Sequence, residues 1–550
     1  MNSTSEIYPI KDRKLYRVCQ KIVRGLIETN IETREDLNKI KRKIAGEDKL
    51  PPPSNVILLS VYRKLIGKKK IKRNEFLEGL LRKREIRTLS GVAVVAVLTR
   101  PSFCPGECIY CPKEKDIPKS YLSNEPAVMR AILANFDPFR QVQMRLRSLT
   151  RTGHETSKIE LIVMGGTWSV LPKRYQRWFI TRCFAACNTE GRRVVHGKTR
   201  RIKSLKEEQR INEKAKHRIV GLTLETRPDF INIKEIKRMR SLGATRVELG
   251  VQTIDDEILK NVKRGHFQEE TIQATKLLKD AGFKVSYHMM PNLPGATPKK
   301  DFEVFEELFS LSSFRPDMLK IYPCLVIKGS ELYKWWKSGR YRAYSKKELL
   351  ELLIKIKSII PPYVRISRLI RDVPAPSIEE GNKISNLREV VQTEMEKRGV
   401  RCRCIRCREV KNLKFKIENL KFVSREYEAS EGREYFLSYE DVKGDKIIAF
   451  LRLRIPSQIF NKGQYFISEL EGAAIIRELH TCGKAVPLKK KIKGASQHLG
   501  FGKKLMNKAE KIVKGLGIGK MAVISGVGVR EYYRHLGYRR EGDYMIKVLA

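Results

Sequence analysis

Residues 92–111 read VAVVAVLTRPSFCPGECIYC, and this stretch decides the fold. Its first seven residues are apolar and of strand length, and the loop that follows carries Cys104, Cys108 and Cys111. Three thiolates on one short loop suit a 4Fe–4S cluster, because they ligate three irons and leave the fourth iron open. The alternative is a structural zinc loop that lacks its fourth ligand. The loop directly follows a strand, which is where barrel enzymes place their sites.

Further along the chain, short apolar strands alternate with amphipathic helices. We predict strands near residues 92–98, 159–164, 219–224, 246–251, 284–290 and 318–322. Helices are predicted between them, for example at 234–242, 269–281 and 301–311. Parallel strands need such crossover helices. The predicted fold class is therefore α/β with a partial (β/α)6 barrel, since six repeats are too few for a complete eight-stranded barrel.

Glycine and polar residues stand at the exits of these strands. They are Gly165, Gly166 and Thr167 after the second strand, Glu225 and Arg227 after the third, and Gln252 after the fourth. Two glycines let a ligand approach the backbone closely, and charged and amide groups at strand exits fit a polar cofactor site. The alternatives are an ordinary turn at the two glycines and a structural ion pair between Glu225 and Arg227.

From about residue 411 the pattern becomes more antiparallel, with strands near 435–439, 446–454, 473–480, 521–525 and 544–548. Gln497, Gly500, Phe501 and Gly502 stand immediately before a helical run at 503–514. Glycines that open a helix expose backbone N–H groups, and the helix dipole favours the negative charge of a pyrophosphate. This region is therefore a second candidate cofactor domain.

A second cysteine group, Cys402, Cys404 and Cys407, has the spacing C-x-C-x2-C. Three thiolates suit zinc, which prefers four ligands in a structural site. Cys324, after the sixth strand, is our choice for the fourth ligand. Its competitors are Cys19, Cys183, Cys187 and Cys482. The alternative is a reactive or incidental group of cysteines.

The charge balance is strongly basic. The 550 residues include 112 Lys+Arg and 62 Asp+Glu, a formal net charge of +50. Such a surplus indicates a polyanion partner, with nucleic acid the first choice. The alternative is a lysine-rich surface like that of thermophilic proteins. Such surfaces are enriched in glutamate as well as lysine, and acidic residues are not enriched in this chain. Residues 61–90 and 191–218 each hold 11 Lys/Arg against 3 Asp/Glu.

No membrane or secretion signal is found. No run approaches the roughly 18 apolar residues that span a bilayer, and the first residues lack the apolar core of a signal peptide. We therefore expect a cytoplasmic protein without a membrane partner, in which the 11 cysteines stay reduced and act as ligands.

Several of these motifs resemble known families. The cysteine loop, with an aromatic residue before its last cysteine, resembles that of the radical-SAM superfamily, in which the Gly-Gly motif receives the amino group of S-adenosylmethionine. The turn at 497–502 is similar to the acetyl-CoA turn of GNAT acetyltransferases. The two together resemble the catalytic subunits of Elongator, a family of tRNA wobble-uridine carboxymethylating enzymes. Long shared words support this, among them VMGGT at 163–167, ETRPD at 225–229 and AVISGVG at 522–528.

The Elongator resemblance implies a tRNA substrate and four cofactors: a 4Fe–4S cluster, S-adenosylmethionine, acetyl-CoA and zinc. It implies that a 5′-deoxyadenosyl radical takes a hydrogen from the acetyl methyl group, after which the carbon radical adds to C5 of the uridine. Thioester hydrolysis then leaves a carboxymethyl group. The protein supplies placement and water exclusion for this chemistry.

The same resemblance implies roles for particular residues. The acetyl-CoA contacts are Lys158, Glu478, Leu479, His480, Thr481, Gln497, Gly500, Phe501, Gly502 and Lys503. Either Tyr532 or Tyr533 lies near the thioester sulfur, the other being core, and Lys320 supplies an active-site charge. The implied domains are a basic helical tRNA-binding region at 1–86, the barrel at 87–370, a linker with the zinc cysteines at 371–410 and the GNAT domain at 411–550.

Two departures point to a prokaryotic-type member. Eukaryotic members have a longer insertion between the first two cluster cysteines and lack the full Cys402–Cys407 set, whereas here the loop is compact and the set intact. We therefore expect activity without the other Elongator subunits. The sequence is compatible with either a monomer or a homodimer. The alternative function is a protein or histone lysine N-acetyltransferase with a vestigial barrel. An RNA-binding module without catalysis leaves two cofactor sites unexplained, and a methylthiotransferase needs a second cluster.

Overall fold

The computed structural model describes residues 12–29, 31–81, 91–189, 203–410, 419–461, 463–483 and 500–549. The first part of the chain is helical, as predicted. Its helices are α1 Arg13–Glu28, α2 Arg34–Glu47, α3 Asn55–Gly67 and α4 Glu75–Leu81. They share a hydrophobic core of their own, because each turns its apolar stripe inward. Arg63 ties this bundle to the rest of the chain by donating to the carbonyl of Thr150 at 2.9 Å.

The central part is a curled sheet of seven parallel strands in sequence order, with helices in the connections. The strands are β1 Ala93–Leu98, β2 Lys158–Met164, β3 Arg218–Thr226, β4 Arg246–Gln252, β5 Lys284–Met289, β6 Met318–Ile321 and β7 Arg365–Arg368. The predicted α/β half-barrel and its six strands are confirmed. The seventh strand is an addition, because its sequence RISR is short and half charged and gives no apolar run.

The helices of this part lie in the connections and after the last strand. They are α5 Pro126–Leu133, α6 Pro138–Arg151, α7 Lys173–Asn188, α8 Leu205–Asn212, α9 Ile233–Ser241, α10 Asp256–Asn261, α11 Gln268–Asp280, α12 Pro298–Ser310, α13 Glu331–Lys337, α14 Lys346–Ile359, α15 Leu387–Lys397 and α16 Ile405–Arg408. The apolar strands and the inner faces of these helices bury one continuous core. None of the described helices is long and apolar enough to cross a membrane.

The C-terminal part is a mixed sheet of seven strands in the order β13-β14-β12-β11-β10-β9-β8. Its elements are β8 Leu420–Ala429, β9 Gly432–Asp441, β10 Lys446–Ile455, α17 Ser457–Asn461, β11 Ala473–Thr481, α18 Phe501–Gly515, β12 Lys520–Val523, α19 Arg530–Arg534, β13 Arg539–Glu541 and β14 Tyr544–Val548. Strands β11 and β12 run parallel but pair only over Ala473–Ile476, so the rest of β11 diverges from β12.

The mixed sheet packs against the amino ends of the barrel strands. Arg477 of β11 donates to Asp317, which directly precedes β6, at 2.8 Å. Lys284, the first residue of β5, donates to Glu478 at 3.2 Å. The cysteine loop instead follows the carboxyl end of β1. Because all seven barrel strands are parallel, the two predicted cofactor sites lie at opposite ends of one half-barrel.

Candidate functional site

The cysteine loop is fixed by backbone contacts to two neighbouring segments. The N–H of Ile109 donates to the carbonyl of Val262 at 3.2 Å, and its carbonyl accepts from Leu332 at 2.8 Å. Cys108 is buried, and Cys104 and Cys111 are half-buried. The three cysteines proposed as cluster ligands therefore stand on one anchored loop, after the carboxyl end of β1.

A buried guanidinium lies against this loop. Arg264 donates to Sγ of Cys108 at 3.4 Å and also to the carbonyl of Gly250. Hydrogen bonding from Cys111, and then the charge of Arg264, lowers the pKa of Cys108 to about 4. Thiolate character is what an iron ligand requires, so the donor set fits a cluster. Sequence analysis assigned no role to Arg264, because nothing in the sequence around it indicates a contact with a cysteine 156 residues away.

Arg227 also faces the cysteine loop. Its guanidinium pairs with Asp229 at 2.8 Å and donates to the carbonyl of Gly265 at 3.0 Å. Its Nη1 is buried without a hydrogen-bond partner among the described residues, and a Cβ at Gly106 would lie 2.5 Å from that atom. An unpartnered buried donor beside a glycine fits a polar cofactor approaching the loop.

Glu225 and Arg227 do not form an ion pair with each other, although both lie in the described part of the barrel, so this alternative to a cofactor role is wrong. Glu225 instead accepts a hydrogen bond from the hydroxyl of Tyr121 at 3.1 Å and lies 3.7 Å from Nδ1 of His288. Its carboxylate is therefore held at the carboxyl end of the barrel by groups on other elements.

Two strand exits have backbone conformations that the site requires. Gly165 and Gly166 have φ values of +125° and +95°, and a Cβ at Gly165 would overlap the Oγ1 of Thr99. Only glycine fits there. Thr167 continues this turn, and its hydroxyl lies 3.9 Å from Sγ of Cys104. Gln252 has a φ of +74°, an unfavourable value for a residue with a side chain, and such strain is concentrated at functional sites.

Inside the barrel lies a network of buried charges. Glu248 of β4 pairs with Lys320 of β6 and accepts from Nε2 of His288 at 3.2 Å. Arg246, also on β4, pairs with Glu160 of β2. Contacts between non-adjacent strands show that these side chains share the concave face. Burial opposes ionisation of Glu248, but the Lys320 ammonium outweighs it and lowers the pKa of Glu248. The sequence signal for this network was the presence of charged residues within otherwise apolar strands.

The predicted acetyl-CoA residues meet where β11 diverges from β12. Gly500 has a φ of +79° and is the N-cap of α18, which has no side-chain cap and no acidic residue in its first turn. Its N–H groups therefore suit a pyrophosphate. The turn continues through Phe501, Gly502 and Lys503. Gln497 lies outside the described residues.

The two candidate tyrosines have different surroundings. A Cβ at Gly502 would lie 2.8 Å from the hydroxyl of Tyr532, so that hydroxyl faces the turn, and Tyr532 is 38% exposed. Tyr533 is buried in the core of the C-terminal sheet. An ordinary tyrosine hydroxyl is already protonated at neutral pH, and partial burial raises the pKa of Tyr532 further, to about 12.

The remaining predicted residues line β11 and the start of β2. Glu478 accepts from Arg452 at 2.9 Å, Leu479 lies 3.7 Å from a Cβ placed at Gly502, and Thr481 ends the strand. Nε2 of His480 is buried without a hydrogen-bond partner among the described residues. Lys158 begins β2, at the end of the barrel that faces the C-terminal sheet, and burial lowers its pKa to about 8.

The second cysteine group is compact. The thiol sulfurs of Cys402, Cys404 and Cys407 lie within 4.8 Å of one another. Cys324 is not part of this group: it packs beside Cys108 and Tyr341 under the barrel rim. The structure therefore does not bring our chosen fourth ligand to the site, because the loop after β6 is buried with residues of the first cysteine loop instead. The competitors are also absent from the group among the described residues; they are Cys19, Cys183, Cys187 and Cys482.

Comparisons with known proteins agree with this geometry. The Radical SAM superfamily model matches residues 98–308, and the Radical SAM C-terminal domain model matches residues 316–397. The tRNA uridine(34) acetyltransferase of Methanocaldococcus infernus is 52% identical over 485 residues, covering 86% of this chain and 88% of that protein. Elongator complex protein 3 of Homo sapiens is 40% identical over 551 residues, covering 96% of each.

A solved structure agrees as well. The archaeal Methanocaldococcus infernus Elp3 with an N-terminal deletion superposes with a TM-score of 0.72 at 48% identity, covering 84% of this chain and 100% of that one. Identity at this level over most of both chains shows common descent and a common fold. This chain therefore belongs to the family of the tRNA uridine(34) acetyltransferases and Elongator complex protein 3.

Proposed function

We propose that this chain modifies uridine 34 of tRNA at C5, with acetyl-CoA as carbon donor and S-adenosylmethionine as radical source. The proposal rests mainly on one arrangement: the cysteine loop follows the carboxyl end of β1, and the Gly500 turn with Tyr532 belongs to the sheet that packs against the amino ends of the barrel strands. When bound, the cluster and S-adenosylmethionine supply a 5′-deoxyadenosyl radical, and acetyl-CoA supplies the two-carbon unit that becomes a carboxymethyl group.

At the carboxyl end of the barrel, the chain's own groups bind and orient. Cys104, Cys108 and Cys111 hold the cluster. S-adenosylmethionine is held by Gly165, Gly166, Thr167, Glu225, Arg227 and Gln252. The unpartnered Nη1 of Arg227 and the φ of Gln252 support these assignments. Lys320 keeps a positive charge in the barrel through its pair with Glu248.

At the amino end, acetyl-CoA lies along β11 and the turn that begins α18. The residues proposed to hold it are Lys158, Glu478, Leu479, His480, Thr481, Gln497, Gly500, Phe501, Gly502 and Lys503. We assign the role at the thioester sulfur to Tyr532 rather than Tyr533, since only Tyr532 faces the turn. Its protonated hydroxyl can donate to the leaving thiolate.

The proposed domains are a tRNA-binding helical region at 1–86, the barrel at 87–370, a linker with a zinc segment at 371–410 and the acetyl-CoA domain at 411–550. The chain acts in the cytoplasm without other Elongator subunits, whether as a monomer or a homodimer. The lysine N-acetyltransferase alternative is not favoured, because it leaves the fixed cysteine loop and the buried Glu248–Lys320 pair without a use.

The test is an anaerobic reconstitution of the purified chain alone, with tRNA, reductant, S-adenosylmethionine and labelled acetyl-CoA. We expect label in a carboxymethylated uridine, identified by mass analysis of the nucleosides. Label on protein lysines without label in RNA would overturn the proposal. A product that appears only after other subunits are added would overturn the single-chain part. Sedimentation of the same sample reports the oligomeric state.

A further inference from the structure

Helix α7 presents a basic and aromatic surface beside the cysteine loop. The α7 surface consists of Arg100, Lys173, Arg174, Arg177 and Trp178, all exposed. The helix KRYQRWFITRCFAACN contains four basic residues and no acidic residue. Trp178 is 43% exposed, whereas the opposite face of the same helix is buried in the barrel core. An exposed aromatic ring surrounded by cations is the combination on which nucleic-acid bases stack.

The rings and guanidiniums of this surface are held in place. Tyr175 lies 5.5 Å from Trp178 between ring centroids, and the guanidinium of Arg100 lies 4.7 Å from the Tyr175 ring. The hydroxyl of Tyr175 accepts from the N–H of Arg100 at 3.0 Å. Arg182 lies 5.6 Å from the Trp178 ring and is anchored by Asp137 at 2.6 Å. The Trp178 ring is therefore preorganised for stacking.

The α7 surface lies close to the proposed reaction site. Arg100 is four residues before Cys104, and four extended residues span at most about 14 Å. Phe103, in the same loop, is 79% exposed. A nucleotide bound at Arg100 is thus within a few nucleotide lengths of the cluster end of the barrel.

We infer that the α7 surface binds the unpaired nucleotides of the anticodon loop, with a base stacked on Trp178 and phosphates on the basic residues around it. This inference rests on the proposed function. Single-stranded RNA is recognised by stacking on aromatic rings and arginine planes, together with basic groups for its backbone. Duplex RNA keeps its bases stacked inside and offers no face to an exposed tryptophan, so an unpaired loop is the occupant that uses the whole surface.

The test compares two RNAs with the full-length protein by fluorescence anisotropy. One is an anticodon stem-loop with an unpaired loop of about seven nucleotides, and the other a duplex of the same stem. Trp178→Ala should weaken stem-loop binding by about tenfold and leave duplex binding unchanged. Trp178→Phe should restore most of the affinity, since it keeps a stacking ring. Arg177→Ser should lower the log–log salt slope for the stem-loop by about 0.7.

Phe460→Ala is the matched control, because Phe460 is 46% exposed with Arg433 over its ring at 5.4 Å in the C-terminal part. It should bind both RNAs as the wild type does. Wild-type affinity for the stem-loop in Trp178→Ala, or equal weakening for stem-loop and duplex, would overturn the inference. Uridine modification by the wild-type protein is measured in a separate assay, the reconstitution described above. The proposed function therefore stands or falls on its own result.

Discussion

The hydrogen bond from Arg264 to Cys108 is a single contact with a measurable consequence. A donor and a positive charge at a ligand sulfur stabilise the reduced, more negative cluster. Arg264→Met removes both, so we expect a lower reduction potential. If this contact stabilises the reduced form over the oxidised form by about 1.4 kcal/mol, its loss lowers the one-electron potential by about 59 mV. An EPR-monitored redox titration of the reconstituted protein measures it. Lys263→Met, next in sequence but paired at the surface with Glu331, is the control and should not move the potential.

Tyr532 and Tyr533 are adjacent but differ in what their hydroxyls can reach. Tyr532→Phe should slow acetyl-CoA cleavage by about 100-fold, the usual effect of removing a proton donor, with little change in acetyl-CoA affinity. Tyr533→Phe should keep the rate within about twofold, because that ring is core. Release of free thiol from acetyl-CoA, measured over a range of concentrations, gives both quantities. A larger rate decrease in the Tyr533 variant would reverse the assignment.

The segment around α16 links the barrel to the mixed sheet. The N–H of Ile405 donates to Val364 at 2.9 Å, and the N–H of Val410 donates to Ile447 at 3.1 Å. A metal at the three cysteines would hold this junction, so Cys404→Ser should abolish zinc binding and lower the melting temperature by several degrees. Cys324→Ser should keep one zinc by elemental analysis. Absence of zinc from the Cys324 variant would show that the loop after β6 does reach the metal.

The turn between α3 and α4 carries the lysine run of the basic N-terminal region. Lys68, Lys69 and Lys70 are exposed, whereas Arg73 is paired with Glu78 at 2.9 Å. Replacing the three lysines with serine should weaken tRNA binding and reduce the salt slope by up to about 0.9 for each phosphate that is no longer neutralised. Arg73→Ser should have a much smaller effect on affinity. Gel-shift titrations at several salt concentrations measure both quantities. Identical salt slopes for wild type and the triple variant would mean that the lysine run does not contact tRNA.

Element by element, the sequence predicted those strands whose apolar run is long. It missed β8, which reads LKFVSREYEA and leaves most of its residues partly or fully exposed because it is an edge strand. It missed β13 because three charged residues, RRE, carry no apolar signal. The missed strands thus have one cause: pairing with a neighbour, rather than burial of their own side chains, keeps them in the sheet.

The sites divide in the same way. The cysteine loop and both glycine turns could be predicted because each is a local motif with a fixed spacing. Contacts between distant positions could not, which is why Cys324 was placed with the wrong cysteines and the contact of Arg264 with Cys108 was not predicted. The network around Glu248 depends on which strands face each other across the barrel, and that is known only once the sheet is curled.

At the scale of the whole molecule, barrel and mixed sheet are joined by buried ion pairs. Arg477 contacts both Asp317 and Glu434, and Arg454 contacts Asp280 at 2.6 Å and Glu434 at 3.1 Å. All are fully buried or nearly so. Buried pairs of this kind specify one relative orientation, because any shift leaves a charge unpaired. The two ends of the half-barrel are therefore held in a fixed relation.

Asp317 is the centre of this junction, and its removal tests the whole arrangement. Burial opposes its ionisation, but the guanidiniums of Arg477 and Arg452 outweigh burial and lower the pKa of Asp317. Asp317→Asn removes one of the two carboxylates that face each of these cations, since Arg477 keeps Glu434 and Arg452 keeps Glu478. Loss of a buried charge partner should reduce the free energy of unfolding by about 3–5 kcal/mol in urea at about pH 7. Asp48→Asn, which breaks a surface pair with Lys21, is the control and should change it by less than about 1 kcal/mol.

The pH dependence of the difference in unfolding free energy between wild type and Asp317→Asn shows whether folding lowers or raises the pKa of Asp317. A carboxylate whose folded-state pKa is lowered stabilises the protein above its unfolded pKa of about 3.9, and this stabilisation is lost as the pH falls further. The gap between wild type and Asp317→Asn should therefore be constant from about pH 7 to about 5 and narrow below about 4, by up to about 1.4 kcal/mol per pH unit. Both proteins are compared without cluster so that acid lability of the iron does not enter. A gap that widens in acid would mean that Asp317 is protonated in the folded protein and that the junction is held by the remaining carboxylates.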